Sequence, residues 1–318
     1  HSAILRLLAD GSNDPDWVGN GFVLYGTANN PPSVHALALQ GDGKVLAGGI
    51  FFSYNGAGRN CIARIHGSPV VGLSVAPRVM LGGAYDSGTQ TMNDMLRAAA
   101  LLPLLEPYTS LGYPHSGGGG GEMVAPALMD STGNNAIVDW VIVELRSAND
   151  PTTTLASRSA LVQRDGDVVA VDGSSSVPFQ LPLGDYHVAI RHRNHLGVMT
   201  AAPFALSALP TMIDLIDPAM ITYGTNARKE VNGAMVLWPG NANPDGIVKY
   251  AGANNDRDAV LQVIGGSPPT NTLLNVYATA DINLDGAVKY MGADNDRDII
   301  LQTIGGSVPT ATRTQQLP

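Results

Sequence analysis

The sequence predicts a mainly β chain that closes with a small module of loops and short helices. Three observations predict it. Apolar and polar residues alternate in short runs separated by Asp-Gly, Gly-Gly and Asn-Gly turns. The composition, with 37 Gly, 21 Pro, 44% hydrophobic and only 14% charged residues in 318, is that of a turn-rich β protein. The stretch 241–307 departs from this grammar and says one thing twice.

Asp245 to Ser267 reads DGIVKYAGANNDRDAVLQVIGGS and Asp285 to Ser307 reads DGAVKYMGADNDRDIILQTIGGS, with 17 of 23 positions identical at an offset of 40. Each copy opens with oxygen-bearing side chains at alternate positions, Asn241, Asn243 and Asp245 in the first, Asp281, Asn283 and Asp285 in the second. A glycine follows at the sixth position. Alternate residues in a tight loop converge on one point, and a hard divalent cation needs six to eight oxygens, so this is the first half of a calcium loop. The seventh position, Ile247 or Ala287, is expected to give its carbonyl. The twelfth position, where an EF-hand carries its closing acid, is Gly252 or Gly292. The insertion YAGANN or YMGADN therefore lengthens the loop, and Asp256 and Asp296, or Asp258 and Asp298, are left to close it. These aspartates head an apolar run that ends in Gly-Gly, the pattern of a short helix with an acidic N-terminus and a glycine cap. Two Ca2+ ions are expected, one per copy. The second copy, with Asp281 and Asp294 where the first has Asn241 and Asn254, is expected to bind more tightly.

Tandem loop-plus-helix units of the type DxNxDG resemble the dockerin type I module, a duplicated half-EF-hand domain of secreted bacterial proteins. The resemblance covers about residues 237–307 and implies a docking role toward a partner domain; the late closing acid departs from it.

Charge and composition exclude several classes. A net charge of −9 with four lysines does not supply the clustered cations that nucleic-acid phosphates need. No run of 18 apolar residues exists to span a membrane. The single cysteine, Cys61, allows no intrachain disulfide and is expected to be a small buried apolar residue. His1 is no initiator methionine and no signal peptide precedes it, so the sequence is expected to be a processed or excised piece of something longer.

In chain order, 5–16 (LRLLADGSNDPD) and 34–67 predict strands near 34–40, 44–52 and 60–66. The string ALQGDGKVLAGG, with FSYNG and RNCIARI after it, resembles the delta-60 repeat of large bacterial surface proteins, which implies a partial propeller-like segment over 1–69. One and a half repeats cannot close a propeller. Beyond it, 70–81 is expected as a strand pair and 92–105 as a helix with Met95, Leu96, Ala99 and Leu102 on one face. Gly117 to Gly121 lack the Lys and helix of a phosphate cradle and read as a flexible or closely packed surface loop. From Asn135 five to eight strands imply an antiparallel sandwich of immunoglobulin-like or transthyretin-like kind over 70–232. Within RHRNHLGVMT, a zinc site from His187, His192 and His195 is conceivable but poorly spaced. The repeat module is expected over 233–310, entered through Leu237, Trp238 and Pro239, with 311–318 as a tail.

No nucleophile elbow, HExxH or Cys/His pair is present, and Glu106, Glu122, Asp139 and Glu144 are the candidates for paired carboxylates before residue 150. As a set, the delta-60-like repeat, the RHRNHLGVMT sandwich and the WPGNANPDGIVKY ending resemble the C-terminal region of large secreted surface proteins of Bacteroidetes-type bacteria. That resemblance implies an extracellular, cell-surface location and a non-enzymatic structural or adhesive role. Self-association with identical subunits, or a glycan or other surface ligand, are the partners it leaves open.

Overall fold

In the computed structural model of the chain, strands dominate and helices are few and short. Residues 22–23, 33–39, 45–54, 57–65 and 72–318 are described. The backbone divides into two compact units, one of residues 1–72 with 180–182, the other of 73–179 with 183–318.

In the first unit, Ser33–Leu39, Val45–Ile50 and Ile62–Ile65 form an antiparallel sheet with Val45–Ile50 in the middle. Period-2 alternation sends Ala47, Ala63 and Ile65 to one side, where Phe51 joins them, while Ile62 and Leu37 face outward. Residues 5–16 lie outside the described residues. Cys61 is exposed rather than buried. It occupies a left-handed turn (φ 62°) entering the last strand, donating its N–H to the Phe51 carbonyl and accepting from Gly49 N–H, which turns the thiol outward.

The second unit is built on a six-stranded antiparallel sheet. Ile137–Ser147 lies at its centre between Thr154–Gln163 and Gly184–Arg191, with Val168–Val169, Val198–Met199 and Phe204–Leu206 outside them. The central strand is buried along nearly its whole length, so both of its faces are covered. One face carries Val141, Val143 and Leu145. The other carries Trp140, Ile142, Glu144 and Arg146, flanked in register by Ser157, Ser159, Ala189 and Arg191. The segment 95–124 covers that second face: Tyr108 Oη donates to the Trp140 carbonyl at 2.7 Å, Trp140 Nε1 to the Pro103 carbonyl at 2.9 Å, and Tyr113 Oη to Glu144.

Two sequence expectations fail here. Residues 70–81 do not form a strand pair. Leu73–Arg78 pairs with Val177–Phe179 and, in parallel, with Thr211–Asp214, whereas Met80–Leu81 joins a different sheet beside Ala234–Leu237. The break at Val79 is held by its N–H on the Gly166 carbonyl and by Arg78, whose guanidinium bridges Asp167 and Asp214. The helix over 92–105 shrinks to Met95–Ala98, because Ala100 turns left-handed (φ 55°) and Pro103 follows. Leu96 and Leu102 are buried but Met95 and Ala99 are not.

Of the five glycines, Gly117 and Gly119 are closely packed, whereas Gly118 and Gly121 have room beside them. Ser116 and the glycines after it run against the edge of Thr154–Gln163, with Ser157 N–H donating to the Ser116 carbonyl at 3.0 Å. A Cβ on Gly119 would stand 2.1 Å from the Ser157 carbonyl oxygen, and one on Gly117 2.6 Å from the Ala156 methyl. Only bare backbone fits, and it covers a sheet edge that would otherwise be open.

The duplicated segment folds as two intertwined copies. Ile247–Lys249 of the first pairs with Thr312–Thr314, beyond the second copy's helix, and Ala287–Lys289 of the second pairs with Thr272–Leu274, beyond the first copy's helix. Residues 312–314, expected as tail, thus complete copy one. The helices Asp256–Val263 and Asp296–Thr303 pack on each other around Val248, Val260, Val288 and Ile300. Leu196, from the sheet's RHRNHL segment, enters the same core.

Candidate metal loops and the clamp beneath them

Both loops wrap their oxygens inward through backbone hydrogen bonds. In copy two, Asp281 Oδ1 accepts Asp285 N–H at 3.1 Å and Oδ2 accepts Gly286 N–H at 3.0 Å, while Asn283 Oδ1 accepts Asp285 N–H at 3.2 Å. Asp285 Oδ1 accepts Ala287 N–H at 2.8 Å. Asp296 reaches across from the helix, taking Ile282 N–H at 2.6 Å and Lys289 N–H at 2.8 Å. Copy one repeats the pattern: Asn241 takes Gly246 N–H at 3.2 Å, Asp245 takes Ile247 N–H at 2.9 Å, and Asp256 takes Asn243 N–H at 2.9 Å and Lys249 N–H at 2.7 Å. Ile247 and Ala287 open the short strands.

Of the two candidate closing acids, the fold brings Asp256 and Asp296 into the loops, and both are fully buried. Asp258 and Asp298 are directed elsewhere. Each takes the amide of the N-cap residue, Asn255 or Asn295, and pairs with the neighbouring Arg257 or Arg297, leaving its side chain nearly half exposed (48% and 46%). The N-cap asparagines accept Asp258 and Asp298 N–H in return, so these acids belong to the helix start.

The electrostatics of the loops carry an imbalance. Burial first, then the charges of Asp281 and Asp285, push Asp296 up to about 7 against its two N–H bonds. Burial likewise raises Asp281 to about 7, though Arg193 pulls the other way, and Asp256 to about 6, with Asp245 contributing. Lys249 and Lys289 approach only the rim, 3.4 Å from Asp245 and 3.6 Å from Asp285. Among the described residues no three His, Cys, Asp or Glu side chains form a ready metal cluster by themselves. The loops count amide oxygens as well as carboxylates, an all-oxygen donor set that fits a hard cation such as Ca2+. Asn241, Asn243, Asp245 and Asp256 would hold the first ion, and Asp281, Asn283, Asp285 and Asp296 the second. The ion would supply the positive charge that these buried carboxylates lack.

Beneath copy two lies a buried polar clamp. The strand Gly184–Arg191 ends just before His192, so alternation stops and both His192 Nε2 (3.1 Å) and Arg193 Nε (3.0 Å) reach the same Asp139 oxygen. Tyr277 Oη donates to the other Asp139 oxygen at 2.7 Å, and the Arg193 guanidinium stacks 4.3 Å from the Tyr277 ring centroid. Burial opposes the Asp139 charge, but Arg193 and the bonds from His192 and Tyr277 outweigh it and hold the carboxyl well below the usual range. Arg193 Nη1 donates to the Ala278 carbonyl, and Asn194 Nδ2 to the carbonyls of Thr279 (3.1 Å) and Asp281 (2.6 Å). The chain entering the second loop is thereby tied to the sheet.

The histidines are engaged in this clamp. Burial lowers His192 and His195 below the ordinary imidazole range, so both are neutral at pH 7. His195 Nε2 accepts Gly83 N–H at 2.9 Å, which puts its proton on Nδ1, facing Asn194 Oδ1 at 2.8 Å. His187 lies apart, bonded to the Thr200 carbonyl. No zinc triad forms. The role of Arg193, Asn194 and Tyr277 was invisible in the sequence; the dense RHRNH run at a strand end is its only trace.

The four candidate carboxylates before residue 150 are each engaged by neighbouring groups. Glu144 sits between Arg146 (2.7 Å) and Arg191 (2.5 Å), Asp139 belongs to the clamp, and Glu122 accepts Gly120 N–H. Glu106 accepts N–H groups of Tyr108, Thr109 and Gly121 and stands 3.7 Å from His115 Nε2, whose Nδ1 meets Ser157 Oγ at 3.1 Å. This Ser-His-Glu trio is no nucleophilic triad, because Ser157 is fully buried and its hydroxyl is held by the Ser116 backbone.

The profile of a β-propeller domain family of unknown function (DUF5122) matches residues 40–67, which hold the strands Val45–Ile50 and Ile62–Ile65 of the first unit. No curated protein and no solved structure matches the chain.

Proposed function

We propose that the chain is a non-enzymatic, calcium-stabilised segment of an extracellular surface protein, serving structure or adhesion. The observation that carries this reading is the second loop: three aspartates, two of them buried, act on one another's charge, with Lys289 only at the rim beside Asp285. Above pH 7, where these carboxyls ionise, such an arrangement is destabilising unless a cation neutralises it. Because this loop is tied to the sheet through Asn194 and Arg193, an ion there stabilises the second unit as a whole. Thermal unfolding with 1 mM Ca2+ against EDTA tests it. The melting temperature is expected to rise with Ca2+ but not with the same concentration of Mg2+; a chain that melts identically in EDTA refutes the reading. Assembly with identical subunits is the further part of this proposal. Residues 1–33, of which only Phe22–Val23 and Ser33 are described, are its expected connector, and electron microscopy of a chain lacking them against the intact one decides that point.

A docking role is the second reading, favoured by one observation. The two helices pack on each other and on the module's own strands, and leave Val263 (40%), Met291 (47%) and the stacked pairs Tyr250–Arg257 and Tyr290–Arg297 at the surface.

A further inference from the structure

We propose that the cleft between the sheet's polar face and the first loop is a binding site for a single acidic sugar ring, a hexuronate unit, gripped through Arg191. The cleft encloses about 310 Å³ and is lined by Tyr113, Leu111, Arg191, Arg193, Asp245 and Gln315 among others. That volume lies at the small end of ligand pockets, about 300–1,000 Å³, and suits one ring rather than a chain of them.

Its chemistry is one-sided. The charged side chains on its wall are two arginines and one aspartate, in a chain whose net charge is −9. Asp245 is partnered by Ile247 N–H and Lys249, and Arg193 is held by Asp139 and the Ala278 carbonyl, its Nη2 being buried without a partner among the described residues. Arg191 differs. Among the described residues only its Nε finds a partner, Glu144, so the two terminal nitrogens of a side chain 28% exposed are open toward the cleft. Gln315 adds a second open donor: its Oε1 accepts Gly197 N–H at 2.8 Å and its Nε2 has no partner among the described residues. The Tyr113 hydroxyl is taken by Glu144, so what the aromatic residue offers a ligand is ring surface, continued by Leu111 and Pro114.

Open donors beside an apolar surface, with Arg191 and Tyr113 meeting at one Glu144 oxygen, call for a ligand with a planar oxyanion attached to a body with an apolar face. A guanidinium fork matches a carboxylate two bonds at a time. The C–H face of a pyranose suits a tyrosine ring, and a uronate carries both features on one ring. Glu144 keeps Arg191 in place, itself fixed from behind by Arg146 at 2.7 Å. The first metal loop contributes Asn241 and Asp245 to the wall, but the grip argued here is that of Arg191 and requires no ion, and it gives the adhesive reading a ligand class.

The test uses the intact chain and free sugars. Galacturonate and glucuronate are titrated by calorimetry or NMR beside galactose, glucose and inorganic phosphate, each in Ca2+ and again in EDTA. Uronates are expected to bind, with the neutral sugars about tenfold or more weaker, as loss of a charged hydrogen-bonding partner implies. Arg191→Lys is expected to weaken uronate binding by a similar factor, since Lys lacks the fork, with the melting temperature unchanged because Arg146 still faces Glu144. In the unaltered chain, the backbone amide signals of Gly112 and Gly246 should shift on titration. Equal binding of neutral sugars, phosphate binding as tight as uronate, an unaffected Arg191→Lys chain, or shifts confined to other amides would each overturn the assignment. Binding in Ca2+ but not in EDTA would overturn its independence from the metal.

Discussion

The two copies of the repeat have nearly one sequence and two different surroundings. In copy two, Asp281, Ile282 and Leu284 are buried, a Cβ on Gly286 would stand 2.6 Å from the Leu101 side chain, and the backbone at Asp281 is held by Asn194. In copy one, Pro244 and Asp245 are exposed and the loop borders an open cleft. The few differing residues follow these surroundings. Position four is Leu284, left-handed (φ 60°) and buried, in one copy and exposed Pro244 in the other; position one is Asp281 against Asn241. A duplicated ligand set has been divided between a more enclosed and a more exposed setting, although the first residues of both loops are buried.

The strongest way to break this comparison is through the clamp, whose Arg193 and Asn194 side chains hold the entry to copy two, while copy one meets only the Asn194 carbonyl. Arg193→Leu leaves Asp139 as an uncompensated buried charge and is expected to cost about 3–5 kcal/mol in chemical denaturation. A loss below about 1 kcal/mol would mean that the entry to copy two does not depend on it. Next comes Asp296→Asn beside Asp256→Asn. In Ca2+ the first is expected to lower the melting temperature by several degrees, at about 2–4 °C per kcal/mol for a unit of this size, and the second by less. In EDTA both should be neutral or stabilising, because each removes a desolvated carboxylate; a chain equally damaged in both buffers would show the acids to be purely structural.

The third prediction is a pH dependence with a definite sign. Folding raises Asp256, Asp281 and Asp296 from 3.8 to about 6, 7 and 7, so the metal-free folded chain holds more protons than the unfolded one between these values. Their contribution in EDTA is therefore full below pH 4 and lost as pH rises to 7, while the increment given by Ca2+ grows over the same window. Stability in EDTA that climbs from pH 5 to 7, once other groups are accounted for with the Asp296→Asn chain, would contradict it. The smallest effect is expected from Asn241→Asp, which gives copy one the first ligand of copy two. Ca2+ affinity at that loop should tighten by a few-fold, as added ligand charge implies, and an unchanged affinity would place the difference between copies in their burial.

Periodicity made the strands at 137–147, 154–163 and 184–191 legible, and the exact repeat made the loops legible, because both are local signals. Alternation reports which face a residue takes, but not which strand lies beside it. Residues 73–81 therefore read as one hairpin yet enter two sheets. Leu96 and Leu102 have helical spacing, but Ala100 and Pro103 settle the backbone otherwise. Asp256 and Asp258 are indistinguishable by type and neighbourhood; only the helix axis, which points one into the loop and the other at Arg257, separates them. The clamp joins Asp139, Arg193 and Tyr277 across more than 130 residues of chain and follows from tertiary packing alone.

The reciprocal strand pairing of the copies has a mechanical meaning. The ribbon Thr312–Thr314, with Gln315 N–H on the Gly246 carbonyl, closes copy one from the far end of the module. A pull on Pro318 meets its carbonyl on Arg146, Gln316 on Thr225 and Gln315 on Gly197 before it reaches the three residue pairs of the ribbon. Both copies are then held at one residue, copy one through the Asn194 carbonyl and copy two through its side chain. The duplicated module is thus a buckle pinned to the sheet at its end and at its middle.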